Sequence, residues 1–214
     1  MNDNDAVTLA SQLCSRLCHD LLSPVGALSN GLELLAEEED PEMRQRCLEL
    51  LEASARTSAN KLKFFRLAFG AAGGFGDRVG VDEPKAVIDA LAQDAKRVEV
   101  NWALAVDALP KPAVKVMLNF AQMGLDALVR GGTLDIGAER RDGASEIVVR
   151  ATGAKVAFDD SIGRALEGSL PEDGLSGRTA AAHMLALIAE QSGGNLQYQK
   201  SEDALVLGAM LPEG

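Results

Sequence analysis

The sequence predicts an α + α/β protein, a helical hairpin followed by a two-layer α/β sandwich. Three observations carry this. Apolar residues recur at helical spacing through the first third of the chain. A glycine-rich run, Gly70-Ala71-Ala72-Gly73-Gly74-Phe75-Gly76, then breaks the pattern. Beyond it, helical periods alternate with short strand-like runs. Residues 1–72 read as the hairpin and 75–214 as the sandwich.

The first helix is expected over residues 5–37. Its apolar stripe is Leu9, Leu13, Leu17, Val25, Leu28, Leu32 and Leu35. Asp40-Pro41 supplies an N-cap followed by proline at the first helical position. The second helix runs to about Phe69, with Leu48, Leu51, Ala55, Ser58, Leu62, Phe65 and Phe69 on one side. A short link makes the pair antiparallel. Two amphipathic helices cannot enclose a core alone, so the hairpin is expected to form a dimeric four-helix bundle with a second copy.

In the second part, residues 82–97 read as a helix and Val98 to Trp102 as a strand. A strongly apolar helix follows over 112–130, with Val116, Phe120, Met123 and Ala127, and Gly131-Gly132 ends it. Thr133 to Glu139 and Glu146 to Arg150 read as strands joined by residues 140–144. The helix over 177–192 closes at Ser192-Gly193-Gly194. Leu196 to Gln199 and Leu205 to Leu211 make the last strands, joined by Ser201-Glu202-Asp203. The expectation is three helices over one mixed sheet.

Composition narrows the function. A hydrophobic fraction of 47% over 214 residues supports a real core. No apolar run approaches the roughly 20 residues that span a bilayer. The acidic start, Met1-Asn2-Asp3-Asn4-Asp5, has no signal-peptide pattern, so a cytoplasmic protein is expected. The net charge of -11 argues against nucleic acid and anionic membrane as partners. Trp102 and Tyr198 are isolated and make no stacking platform. Cys14, Cys18 and Cys47 complete no metal-ligand pattern and read as buried or half-buried thiols.

The chemistry concentrates at His19, one of two histidines. At about 100° per residue it lies roughly 200° from Leu17, and so points away from the apolar stripe. Imidazole is a usable nucleophile and proton carrier at cell pH. Pro24, five residues on, removes a backbone donor and crowds the carbonyl of Asp20. His183 lies within the 177–192 helix and reads as a satisfied structural histidine.

His19-Asp20-Leu21-Leu22-Ser23-Pro24 resembles the H-box of sensor histidine kinases: His, an acidic residue, an apolar one, a variable often basic one, any residue, Pro. Leu22 departs from the basic preference. The resemblance implies that His19 accepts a phosphoryl group and that Asp20 hydrogen-bonds its ring.

The order of elements after residue 75 is similar to the ATP-binding domain of these kinases, the Bergerat or GHKL fold. Its motifs are damaged. Leu125-Asp126-Ala127, with Gln122 one turn earlier, stands where the kinases carry a magnesium-binding Asn. Ala151-Thr152-Gly153-Ala154-Lys155 stands for Asp-x-Gly-x-Gly, so the adenine-reading carboxylate is missing and Lys155 replaces a glycine. The glycine-rich entry to the penultimate helix is Asp173-Gly174-Leu175-Ser176-Gly177-Arg178-Thr179.

An H-box joined to a degenerate ATP domain is similar to histidine phosphotransferases of the ChpT type. This implies a homodimer that takes phosphate from the receiver-domain Asp of a hybrid histidine kinase onto His19, then passes it to the Asp of a response regulator. Catalytic roles fall to His19 and Asp20, and receiver docking to Arg16, Leu22 and Ser23. The chain is expected to bind no cofactor and no metal, with Mg supplied by the receiver. Two other readings stay open: an ATP-dependent histidine kinase, and a non-catalytic dimeric scaffold or antikinase.

Overall fold

The computed structural model describes residues 3–70, 76–95, 97–171 and 173–213. Two long helices open the chain, α1 (Asp3–Glu37) and α2 (Pro41–Ala68). Asp40 caps α2 as its sequence requires, accepting from the backbone N–H groups of Glu42 and Met43 at 3.0 and 2.9 Å. Arg44 of α2 reaches back and donates to the carbonyls of Leu35 and Glu38 at 2.9 and 2.7 Å. The open Leu35 carbonyl in the last turn of α1 is thus satisfied across the hairpin.

Then follow β1 (Arg78–Gly80), α3 (Asp82–Asp94), β2 (Val98–Leu104), β3 (Ala108–Pro110), α4 (Lys111–Ala127), β4 (Gly132–Arg141), β5 (Ala144–Thr152), α5 (Asp160–Leu166), α6 (Ala180–Gln191), β6 (Asn195–Lys200) and β7 (Ala204–Pro212). Five strands form one sheet in the order β2-β4-β5-β7-β6. Only β2 and β4 run parallel; the other pairs are antiparallel. Helices α3, α4 and α6 pack on the sheet, so the two-layer sandwich stands as expected.

Several elements differ from the sequence reading. β1 and β3 pair in a separate antiparallel ribbon, too short at three residues each to leave a periodic signal. α5 is a seven-residue helix with Gly163 inside it, and the sequence showed no period there. The expected five-residue link between β4 and β5 contracts to Asp142-Gly143, both left-handed at φ 50° and 80°. Helix α4 stops at Ala127, and Gly131 and Gly132 then take φ 83° and 146°. At Gly132 an added Cβ would lie 2.2 Å from the Thr152 carbonyl oxygen, so only glycine fits. Of the glycine-rich boundary run, Ala71 to Phe75 lie outside the described residues.

The core is continuous across α3, α4, α6 and the inner sheet face, around Phe120, Met117, Ile88 and Leu185. Phe64, Phe65, Leu67 and Ala68 of α2 belong to it. The C-terminal turns of the hairpin are therefore built into the sandwich, and this fixes where α1 stands relative to the sheet.

Candidate functional site

The helical pitch of α1 sets the site. Leu17 is half-buried against the core, while His19 is turned outward with its side chain 88% exposed. His19 Nδ1 lies 3.3 Å from Asp20 Oδ1. Arg16, one turn back, places Nε 3.7 Å from Asp20 Oδ2 and Nη2 3.7 Å from Asp126 Oδ2. Asp126 also accepts from Gln122 Nε2 at 2.7 Å. A chain of polar contacts thus runs from the ring of His19, through α1, to α4 of the sandwich.

Beside this chain lies a cleft of about 880 Å³, with His19, Arg16 and Asp20 on one wall. Its apolar lining includes Met123, Val156, Phe158 and Ile162. Arg178 and Lys200 add cationic groups. Asp126 keeps contact with solvent, yet the protein around it reduces its hydration and raises its carboxyl above the ordinary value; Arg16 and Gln122 pull the other way. Asp159 caps α5. The Ser161 backbone N–H, the Arg178 guanidinium and the Ser161 hydroxyl hold its carboxyl down at about 2.

Arg16 is already engaged by two carboxylates, with its side chain 19% exposed. Leu22 is 69% exposed and Ser23 is exposed, so both flank His19 on an open surface. Cys47 is buried, but Cys14 and Cys18 are exposed, against expectation: they project from flanks of α1 that this chain leaves uncovered. His183 is half-buried and its Nδ1 has no hydrogen-bond partner among the described residues, so it is not the satisfied histidine expected.

The residues at the kinase-like nucleotide motifs do not fit ATP. Ala151 is fully buried in β5 and offers no polar group to a purine edge. A Cβ at Gly153 would lie 2.7 Å from the Gly131 carbonyl oxygen, so this glycine serves packing. The Gly174–Thr179 turn closes on itself: Thr179 Oγ1 donates to the Gly174 carbonyl at 2.8 Å and accepts from the Ser176 N–H at 2.9 Å. Gly177 packs on α1, where an added Cβ would meet Gln12 and Arg16 at 3.8–3.9 Å. Asp126, at the magnesium position, is held by Arg16 and Gln122. Among the described residues no His/Cys/Asp/Glu cluster suits a metal ion.

Residues 81–204 match the family described as the histidine phosphotransferase C-terminal domain. The chain is 33% identical over 207 residues to the protein phosphotransferase ChpT of Brucella abortus (strain 2308), covering 95% of this chain and 96% of that one. The chain belongs to the histidine phosphotransferase family. A solved bacterial phosphotransferase, at 1.7 Å, superposes with a TM-score of 0.83 and 30% identity over 98% of this chain and 97% of that one. The histidine kinase ThkA, solved in complex with the response regulator protein TrrA, gives 0.51 at 13% identity, covering 99% of this chain and 64% of that one; it shares the fold. For this phosphotransferase the hairpin-plus-sandwich architecture follows from both the relatives and its own core.

Two features of the site were not legible in the sequence. Pro24 announces that the Asp20 carbonyl has lost its helical donor, but the sequence does not say what replaces it. The replacement is Lys61 of α2, whose Nζ donates to that carbonyl at 2.8 Å. Nor does it show that Asp126 would meet Arg16, since the two stand in different units and are 110 positions apart.

Proposed function

We propose that this phosphotransferase works in a phosphorelay through His19. The observation that carries the reading is the disposition of the imidazole. Its ring is 88% exposed on the rim of a large cleft, with Nδ1 beside the Asp20 carboxylate. An ionised carboxylate can only accept, so this contact places the proton on Nδ1. Nε2 then presents its lone pair outward.

The incoming group is an aspartyl phosphate of a receiver domain, a mixed anhydride. Nε2 attacks phosphorus in line, a P–N bond forms and the P–O bond to the receiver carboxylate breaks. The carboxylate leaves as an anion, and the imidazole cation that forms is stabilised by Asp20. The reverse sequence delivers the group to the Asp of a second receiver. Such transfer asks mainly for position and charge neutralisation. Magnesium comes with the receiver, and the chain itself holds no cofactor. Leu22 and Ser23 meet the receiver on the open side of α1, with Arg16 steadying Asp20. The working unit is a cytoplasmic homodimer closed through the exposed stripe of the hairpin. No helix among the described residues is long and apolar enough to cross a membrane.

The deciding experiment is incubation with a ³²P-labelled receiver. Acid-labile label should appear on the wild-type chain and be lost in His19→Ala, with fold and mass unchanged. Label on the His19→Ala protein would overturn the assignment. ATP alone should leave the purified chain unlabelled and give no heat of binding. The missing contact at Ala151 leaves a purine edge unpaired, at a cost of about 1–3 kcal/mol. Label from ATP would favour an ATP-dependent kinase instead.

A further inference from the structure

We propose that Lys61 is a positioning residue for His19, standing in for the hydrogen bond that Pro24 deletes from the phosphoacceptor turn. The inference rests on the phosphotransfer reading of His19.

In an α-helix the carbonyl of residue 20 accepts from the N–H of residue 24. Proline has no N–H, so that carbonyl is left unpaired inside α1, and its ring crowds the same oxygen. An orphaned carbonyl ordinarily loosens or kinks the helix at that point. Here α1 continues without a break from Asp3 to Glu37 with Pro24 inside it. Pro24 itself is buried, so water has little access to repair the gap from its side.

Lys61 supplies the missing donor from the other helix of the hairpin, 41 positions along the chain, at 2.8 Å and partly shielded. It lines a smaller cavity of about 370 Å³ with Asp20, Thr57 and Gln122, while His19 lines the larger cleft. The ammonium's hydrogen bond is to the backbone of the turn and not to the imidazole. Its role is mechanical and electrostatic. It fixes the peptide joining Asp20 to Leu21, and with it the carboxylate that orients His19. A charged donor makes a stronger bond than the peptide N–H it replaces.

This origin predicts a coupling that a general stabilising role would not. Removing the donor should matter only while Pro24 is present, because alanine at position 24 restores the backbone N–H. At saturating labelled receiver, Lys61→Met should lower the transfer rate about tenfold, with KM changed less than about twofold. In a Pro24→Ala background the same Lys61→Met change should cost less than about twofold. Lys61→Arg, which keeps a cationic donor, should recover most of the rate. Dimer mass and helix content by circular dichroism are checked for every variant.

An equal loss in both backgrounds would overturn the proposal, as would no loss at all. A second readout needs no transfer: the Asp20 carbonyl carbon resonance should shift on Lys61→Met in the Pro24 chain and stay put in the Pro24→Ala chain. If the wild-type chain took no label at His19, the phosphotransfer reading would fail. The carbonyl resonance would still report whether Lys61 makes the bond that replaces the missing donor.

Discussion

The hairpin and the sandwich solve opposite problems. In the sandwich Phe120, Met117 and Leu118 of α4 and Leu134, Ile136 and Leu207 of the strands are buried to 0–1%. In the hairpin Val25, Leu32, Leu48 and Leu62, all on the stripes that mark its inner face, remain 44–59% exposed. The sandwich buries its core within one chain, and at its nucleotide-motif position the buried Ala151 offers no polar group. The hairpin leaves apolar side chains uncovered, and it carries the exposed imidazole of His19. The closed unit holds the open one in place through Phe64, Phe65 and the Arg16–Asp126 contact.

The first way to break this contrast is to make the hairpin face polar. Leu32→Lys together with Leu62→Lys touches residues that are 59% and 54% exposed, so the single chain should fold normally. A dimer would bury each of the two leucines twice. At about 1.5–3 kcal/mol per leucine, dissociation should become at least about 100-fold easier. Light scattering across a concentration series reads this directly. A mass that did not change, or a wild-type chain that is monomeric at micromolar concentration, would mean that something other than a second copy covers the stripe.

A smaller effect sharpens the division of labour within the hairpin. Asp20→Asn keeps the shape of the side chain but removes the charge that holds the Nδ1 proton and steadies the cation formed on transfer. The rate of label uptake should fall about tenfold and not to zero, because Nε2 is still exposed. Complete loss would give Asp20 a larger part than orientation. An unchanged rate would remove it from the site.

The elements with long, strong periods were readable from the residues alone: α1, α2, α4 and the four strands of the antiparallel block. The geometry of the candidate site was readable as far as it is local. His19, Asp20, Leu22 and Ser23 lie within five positions, and the pitch of one helix sets which way each points. What depends on the meeting of distant segments was not readable. Lys61 finds Asp20 across the hairpin, and Arg16 finds Asp126 across the cleft. No periodicity encodes either. Short elements were lost for a related reason: β1, β3 and α5 are held by their neighbours and not by a period of their own. The exposure of Cys14 and Cys18 belongs to the same class, since it depends on which flanks of α1 find a partner.

The smallest effect concerns the far wall of the cleft, where the sandwich has acquired a fixed charge pair. Asp159 caps α5 through the Ser161 N–H at 2.9 Å and binds Arg178 at 2.6 Å. Both favour its charged form, so its pKa in the folded protein, about 2, lies below the ordinary 3.8. A depressed carboxyl contributes stability that is fully present above the unfolded value and is lost as pH falls through the folded one. The window is therefore from about pH 4 down to about 2, and the neutral range should show no change from this group. The carboxylate is in contact with solvent and the pair is screened, so the contribution to global stability is small. It is better read locally, from the Ser161 amide resonance, which should titrate with a midpoint near 2 and move little between pH 5 and 7. In Asp159→Asn that titration should vanish, and Arg178 should gain freedom at the cleft wall while the core is undisturbed. A Ser161 midpoint at or above 3.8 in the wild-type chain would show that neither the cap nor Arg178 holds this carboxylate. Arg178 would then stand at the cleft without the partner that ties it to α5.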